Sequence, residues 1–528
     1  MHKVINFFLE PFGKEWAFFI ALWLLASSAD VYFWSIHGNP AFGIYMGIHG
    51  FIQVYAIVLL LGLFRNRFRT ILQWILLALG VLNLCADTCV HRIMHFGFTG
   101  DMVAIILGSN FSEASEFLPM YITPQAILFI VSVIALAFLV LYFRKTISAW
   151  MKPWLQWGLA FVLLSFILLV SVRHSRNWEG VFLNKIGLFL SYDAPVDLTG
   201  YRTEPEIEVT GEQPETVVMI IGESLSKRHC SLYGYPRQTT PFWDAMAADS
   251  SLIVYNNVSS AYTNTVGAFQ RLLTTYDNHA PEDTVWYKYT FLEDVMSMAG
   301  YRTTWISNQS SSGIYDNIVA KFAALSDTVE WVGPKGLGIG KTNKDEDVFP
   351  FIQTLVASTT LDKNFVIIHL MGSHEGFGSR YPASFARFTE KDYPDKPEGQ
   401  RSTLAEYDNS VLYSDYVVST IMHLFDEKEA LVLFFPDHSL DIYDSDPSYA
   451  GHARTGNEVS VRAGEDIPFI LYPTSRYKEA FPDKMERIKS ACSNAFNTED
   501  LIYTIMDICN IKFAENVSVE EKSLLQLN

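Results

Sequence analysis

Cysteine is scarce in this 528-residue chain: there are five, and no two form a C-x-x-C pair. That argues against a zinc ribbon or a thioredoxin-type redox site. Cys85 and Cys89 fall in an apolar stretch, so Cys230, Cys492 and Cys509 allow at most one disulfide elsewhere. Such a count does not fix the compartment. Internal repeats and low-complexity tracts are absent. Basic charge is missing from one part of the chain only. Residues 1–172 hold nine Lys/Arg against seven Asp/Glu, a net of +2; the total is −18, so residues 173–528 carry −20. An acidic body of this kind argues against a nucleic-acid partner, which needs a basic face. A phosphate-bearing substrate remains possible where a metal ion supplies the positive charge.

Apolar residues, by contrast, are plentiful, at 49% of the chain, and mean hydropathy is +0.14. Length alone predicts at least two domains. Five stretches reach the roughly 20 residues needed to cross a bilayer: Trp16–Trp34, Ala41–Phe64, Ile71–Val90, Ile122–Phe143 and Trp154–Val172. The first is too long, and too closely followed by others, to be a cleaved signal. Loop charges set the orientation. Lys3, Lys14, Arg65, Arg67, Arg69, Arg144, Lys145 and Lys152 fall on one side and only Arg92 on the other, eight against one. The amino terminus is therefore expected in the cytoplasm and everything after Val172 outside. Asp30 and Asp87 fall near the outer ends of their spans. They read as solvated helix ends or as polar contacts with a lipid headgroup or the outer domain.

Residues 173–212 are expected to form a connector, with Asn184–Leu190 lying on the membrane surface and Thr203–Pro214 as a linker. From 213 to 528 the pattern alternates. Val217–Ile221, Thr303–Ile306, Phe365–Ile368, Leu431–Phe435 and Ile467–Tyr472 read as buried strands. Helical stretches such as Phe291–Ala299 and Asn409–Phe425 lie among them. This predicts an α/β domain with a mainly parallel sheet, and polar residues collect just past the strand ends, where such sheets bind ligands.

Glu223 follows the first strand and Asp437-His438 the fourth. Oxygen and imidazole donors together suit Zn²⁺, with Mn²⁺ a weaker choice, although each is also a common loop residue. Thr265 sits where a polar turn enters a helical segment. The local sequence reads as an N-cap; beside a dication the same hydroxyl becomes a nucleophile. His374 follows another strand and His452 lies fourteen residues past His438; either could be a solvated loop histidine, and as functional groups they suit phosphoryl binding, protonation of a leaving group or a second ion.

Several phrases taken together resemble the phosphoethanolamine transferases of Gram-negative envelopes, in the alkaline-phosphatase/sulfatase superfamily. They are Ile221-Gly222-Glu223-Ser224, the run from Leu232 through Tyr233-Gly234-Tyr235-Pro236-Arg237 to Pro241, Ser307-Asn308-Gln309, His369-Leu370-Met371-Gly372-Ser373-His374, Tyr407-Asp408-Asn409-Ser410 and Ser109-Asn110-Phe111-Ser112-Glu113-Ala114. The resemblance covers nearly the whole chain. It implies a five-helix transmembrane bundle followed by a periplasmic sulfatase-like domain, in a multi-pass protein of the inner membrane. It also implies Zn²⁺ held by Glu223, Thr265, Asp437 and His438, with Thr265 carrying phosphoethanolamine as a covalent intermediate. His374 and His452 would act on the substrate phosphate, and Asn308 and Glu113 would join them in substrate binding. The donor implied is phosphatidylethanolamine. The acceptor is a glycolipid such as lipid A or the lipopolysaccharide core, and the protein is expected to be a monomer among membrane lipids.

The chain departs from the family pattern in three places. Pro436-Asp437-His438-Ser439-Leu440 replaces Ser-Asp-His-Gly-Glu, Glu465-Asp466 stand before Ile467-Pro468-Phe469 where a histidine is usual, and the soluble part lacks the many cysteines of lipid A-modifying members. These bear on the acceptor and on any second metal. A lipoteichoic-acid-synthase-like glycerol-phosphate transferase shares the layout, but Tyr233-Gly234-Tyr235-Pro236-Arg237 favours the ethanolamine branch. A true sulfatase would need a Cys/Ser-x-Pro-x-Arg phrase, which is absent. A non-catalytic member would lack metal or nucleophile residues, and all four are present.

Overall fold

A computed structural model describes residues 7–36, 39–64, 66–94, 122–144, 162, 197–281, 284–309, 318–332, 343–358, 363–447, 449–453, 457–514 and 519–526. The chain divides into an amino-terminal helical unit and a carboxyl-terminal α/β unit.

Among the described residues the helical unit contains four helices long and apolar enough to cross a membrane. These are α1 (Trp16–Ile36), α2 (Pro40–Leu61), α3 (Asn66–Met94) and α4 (Pro124–Tyr142). The fifth predicted span, Trp154–Val172, lies outside the described residues except for Val162. Proline opens α2 and α4 behind the capping side chains of Asn39 and Thr123, which accept from Phe42 and Ala126; proline is well suited to that position because its missing N–H has no helical partner there. Glycines of α2 let it close on α1. A Cβ at Gly47 would meet Val31 at 2.9 Å, and Trp23 Nε1 donates to the Gly47 carbonyl at 2.8 Å. Small residues do this in membranes because packing, not water exclusion, holds the helices together.

Asp30 and Asp87 are not solvated helix ends. Both are buried, at 3% and 2% exposure. Asp30 meets His91 of α3 at 2.8 Å, with Phe33 stacked on the imidazole, and Asp87 accepts from Asn83 at 2.8 Å. Each carboxylate is satisfied within the bundle, as a polar group in hydrocarbon must be.

The α/β unit is built on a seven-stranded sheet. Its strands are β1 (Thr216–Gly222), β2 (Ile253–Tyr255), β3 (Arg302–Ser307), β4 (Thr328–Trp331), β5 (Asn364–His369), β6 (Ala430–Pro436) and β7 (Phe469–Pro473). The order is β2-β7-β6-β1-β5-β3-β4. Five strands run parallel, and β7 is antiparallel to both β6 and β2. Central β1 is buried on both faces, which explains its unbroken apolar run. Val217, Met219 and Ile221 enter one core, and Val218 and Ile220 the other.

All five predicted strands form, each within two residues of its expected ends. β2 and β4 were not expected: they are three and four residues long, at the two sheet edges, and carry little pattern. The long helix, α6 below, spans Glu398–Leu424, starting eleven residues before the expected Asn409. Thr203–Pro214 is not a free linker. Leu198 is buried in the core, Arg202 donates to Asp294 at 2.7 Å, and Ile207–Val209 pairs with Ile511–Phe513. Asn184–Leu190 lies outside the described residues. All five cysteines are free thiols.

Candidate active site

The sheet topology converges three strand ends on one point. β1 ends in Gly222 and delivers Glu223; β6, its parallel neighbour, ends in Pro436 and delivers Asp437 and His438. Their register places Gly222 beside Pro436, and the Asp437 N–H donates to the Gly222 carbonyl at 3.0 Å. β5, on the other side of β1, ends in His369 and continues into the loop bearing His374. Gly372 in that loop has φ +50° and faces the Glu223 backbone: an added Cβ would lie 2.7 Å from the Glu223 carbonyl oxygen and 2.8 Å from its nitrogen. Only glycine fits there.

Glu223, Asp437 and His438 are almost fully buried and each offers one ligand atom within 4.8 Å of the others. His438 Nε2 lies 3.2 Å from Glu223 Oε1 and 3.8 Å from Asp437 Oδ2. His438 Nδ1 is 2.9 Å from the Ser439 carbonyl, which can only accept, so in the neutral ring Nδ1 carries the proton and Nε2 keeps its lone pair for the cluster. Asp437 Oδ2 is buried with no hydrogen-bond partner among the described residues. Burial pushes the Asp437 carboxyl up to about 7, aided by the charge on Glu223. Glu223 is buried too, but the hydrogen bond and charge of His438 hold it below the usual carboxylate range. His438 is pushed up to about 9, because Asp437 and Glu223 outweigh its own burial. Two carboxylates and an imidazole with one oxygen left over form a donor set that fits a divalent cation.

Thr265 is the first residue of helix α5 (Thr265–Leu272). It is not the cap. Asn264 takes that role, its Oδ1 accepting from the Gly267 N–H at 2.9 Å. With the cap supplied by its neighbour, the Thr265 hydroxyl turns into the cluster: it lies 3.5 and 3.3 Å from the two Glu223 oxygens and 3.5 Å from His438 Nε2. Thr263 instead packs its methyl against Gly464 and offers its carbonyl to His452 Nδ1 at 3.4 Å.

His452 and His374 are half-buried beside the cluster. The His452 ring stands 5.0 Å from that of His438. Burial, then the charge of His438, pushes His452 down to about 3. Burial pushes His374 down to about 4 against the pull of Glu223, with Arg380 adding to the effect. Both are neutral at ordinary pH. Arg380 holds the His374 loop by donating to the His374 and Glu375 carbonyls at 3.1 and 2.6 Å.

Asn308 is placed differently from its neighbour. Its Nδ2 donates to Asp345 at 2.7 Å, and Asp345 also accepts from the Met371 and Gly372 N–H groups. Gln309, which the sequence reading did not single out, is the residue of this strand end that reaches the cluster, with Nε2 3.4 Å from Glu223 Oε2. Its position just past a strand, in the Ser307-Asn308-Gln309 phrase, was the available signal. Asp345 was missed because no strand or motif announces it. Glu113 lies outside the described residues.

The sulfatase family model matches residues 215–511, more than half of the chain, and the chain belongs to that family. Phosphoethanolamine transferase EptC of Escherichia coli (strain K12) is 26% identical over 484 residues, covering 85% of this chain and 82% of EptC. Phosphoethanolamine transferase CptA of Salmonella typhimurium is 26% identical over 493 residues, with the same coverage. The C-terminal periplasmic domain of the E. coli EptC protein, solved in complex with Zn, superposes with a TM-score of 0.55 at 26% identity, over 62% of this chain and 91% of that one. The integral membrane lipooligosaccharide phosphoethanolamine transferase A of Neisseria meningitidis has the same fold over 97% of this chain and 98% of its own, with a TM-score of 0.67 at 18% identity. The chain is thus a sulfatase-family protein that is similar, over most of its length, to phosphoethanolamine transferases.

Proposed function

We propose that this protein transfers phosphoethanolamine from phosphatidylethanolamine to an envelope glycolipid, lipid A or the lipopolysaccharide core, through a covalent intermediate on Thr265. The helical unit would sit in the inner membrane with the α/β unit in the periplasm, as a monomer among its lipid substrates. The observation that carries the reading is the Thr265 hydroxyl, first residue of a helix, within 3.5 Å of Glu223 and His438. Zn²⁺ is the ion we assign to Glu223, Asp437, His438 and Thr265, on the donor set and the zinc-bound EptC domain; when bound it lowers the pKa of the hydroxyl and balances charge on phosphoryl oxygens.

Thr265 Oγ attacks phosphorus and the bond to the diacylglycerol oxygen breaks. The hydroxyl proton passes to a neutral histidine, His452 or His374, and from there to the departing oxygen. In the second half an acceptor hydroxyl, or the oxygen of a protonated phosphate, attacks the same phosphorus, the bond to Thr265 Oγ breaks, and the acceptor's proton passes through the histidine to Oγ. Two displacements replace one difficult direct transfer. The N-terminus of α5 favours negative charge on the oxygen in both halves, while Gln309 and Arg380 hold Glu223 and the His374 loop in place. Substrate binding by Asn308 and Glu113 remains part of this proposal, Asn308 through its amide oxygen, which has no partner among the described residues.

Incubating the full-length protein with phosphatidylethanolamine alone should add one phosphoethanolamine mass to the peptide containing Thr265, and Thr265→Ala should abolish both this mass and transfer. Normal transfer by Thr265→Ala would overturn the mechanism; the mass on Thr263 would move the nucleophile.

A further inference from the structure

The turn that presents Glu223 has an unusual backbone. Ser224 is in the left-handed region, with φ +58°, although it is not glycine. A side chain there strains the chain unless the surroundings hold it. Ser224 Oγ donates to Glu223 Oε1 at 2.8 Å, so the conformation of Ser224 sets one oxygen of the carboxylate. The turn also leaves the Ser224 carbonyl and the Ser226 N–H outside any strand or helix. One side chain serves both: the Tyr407 hydroxyl donates to the Ser224 carbonyl at 2.9 Å and accepts from the Ser226 N–H at 2.8 Å.

Tyr407 comes from α6, remote in sequence, and is itself held firmly. It is fully buried, with Phe377 and His229 packed edge-on at 5.0 Å each. His229 in turn is fixed by Asp408 at 2.7 Å. Burial pushes the phenol far above its usual pKa, so it always has a proton to donate. From these contacts we infer that Tyr407 is a positioning residue for the metal ligand Glu223, clasping the Ser224–Ser226 turn so that the carboxylate is aimed before the ion arrives. The inference rests on the metal reading above and assigns a role to a residue that touches neither ion nor substrate. Groups that orient a ligand from behind change metal affinity by about 10–100-fold when removed.

The test compares two tyrosines of the same kind. Tyr407→Phe deletes only the hydroxyl and leaves the ring contacts. Tyr255→Phe deletes another buried phenol, one that donates to the Ile488 carbonyl at 2.8 Å on β2, away from Glu223. Full-length protein, stripped of metal in detergent, is titrated with Zn²⁺ alone against a competing chelator, and thermal midpoints are recorded. Both variants should melt lower. Tyr407→Phe should bind Zn²⁺ about 10–100-fold more weakly, and Tyr255→Phe as tightly as wild type. Equal affinity in all three overturns the inference. Should Tyr407→Phe not fold, Phe377→Leu, which removes the ring packed edge-on against Tyr407 and so loosens the clasp, must weaken Zn²⁺ binding in the same direction, and unchanged affinity there overturns the inference equally. Glu223→Gln separates the two levels of argument. If it too binds Zn²⁺ like wild type, the metal reading fails and this inference with it; if it loses Zn²⁺ and the clasp variants do not, the inference fails alone.

Discussion

At the scale of single residues, the site depends on neighbours sharing tasks. Asn264 caps α5, which frees the Thr265 hydroxyl to face Glu223 and His438. The sequence alone favoured the cap for Thr265, because a hydroxyl at a helix start usually serves that purpose; the asparagine one position earlier was the competing signal. Thr265→Ala therefore removes no capping bond, whereas Asn264→Ala should cost about 1 kcal/mol of stability. The ligand residues can be tested directly. Asp437 Oδ2 is buried with no hydrogen-bond partner among the described residues, which leaves an oxygen for an ion. The purified protein should hold about one Zn²⁺ per chain, as expected of a tetrahedral site. Asp437→Asn keeps the shape and loses the charge, and His438→Ala loses the imidazole; each should lower zinc content well below that of wild type by elemental analysis. Zinc content unchanged in both variants would place the ion elsewhere.

The strands around the site were legible because they are buried on both faces, and continuous β-branched runs ending in Gly-Glu, Pro-Asp-His or His-Leu-Met leave little choice of element. What could not be read was the contact made between elements. Nothing near Gly372 in sequence says that it leaves no room for a side chain against the backbone of Glu223, just past the end of β1; that closeness follows from the parallel pairing of β1 and β5. Asp345 is invisible for the same reason: its carboxylate bridges Asn308 after β3 and the backbone after β5. The close approach makes a sharp prediction for the β5 loop. In Gly372→Ala the new methyl would lie under 3 Å from backbone atoms of Glu223, at a φ that alanine avoids, so the loop and Glu223 must separate. Both transfer and zinc affinity should fall together, with the thermal midpoint reduced. A variant with normal zinc content and normal transfer would show that the loop does not need this contact.

For the whole molecule, the deciding question is which side of the membrane the α/β unit occupies. Arg69 bonds to Glu10 and Glu15 at 2.8 and 3.1 Å, and Gln73 donates to Glu15 at 2.6 Å, so the amino-terminal segment and the turn between α2 and α3 lie at one end of the helical unit. α1 and α2 bring the chain back to that end, the arrangement that the loop charges predict for two crossings. Partial neutralisation of Arg69 by these acids does not weaken the orientation argument, because acidic residues contribute little to topology. Seven further Lys and Arg side with it, in the amino-terminal segment, in the same turn and in the loop before the fifth predicted span, against Arg92 alone on the other. Four described helices and the predicted fifth span, Trp154–Val172, would make an odd number of crossings, so residues 213–528 should emerge opposite the amino terminus, in the periplasm. Phosphatase fused after Asn528 is active only when exported and should be active, and a cytoplasm-dependent fluorescent protein fused at the same place should be dark. Moving the charge bias, by replacing Arg144, Lys145 and Lys152 with asparagine and adding three lysines beside Arg92, should reduce the phosphatase signal. A stable fusion with inactive phosphatase and a bright fluorescent partner would put the α/β unit in the cytoplasm, away from the outer-leaflet glycolipids that the proposed reaction needs.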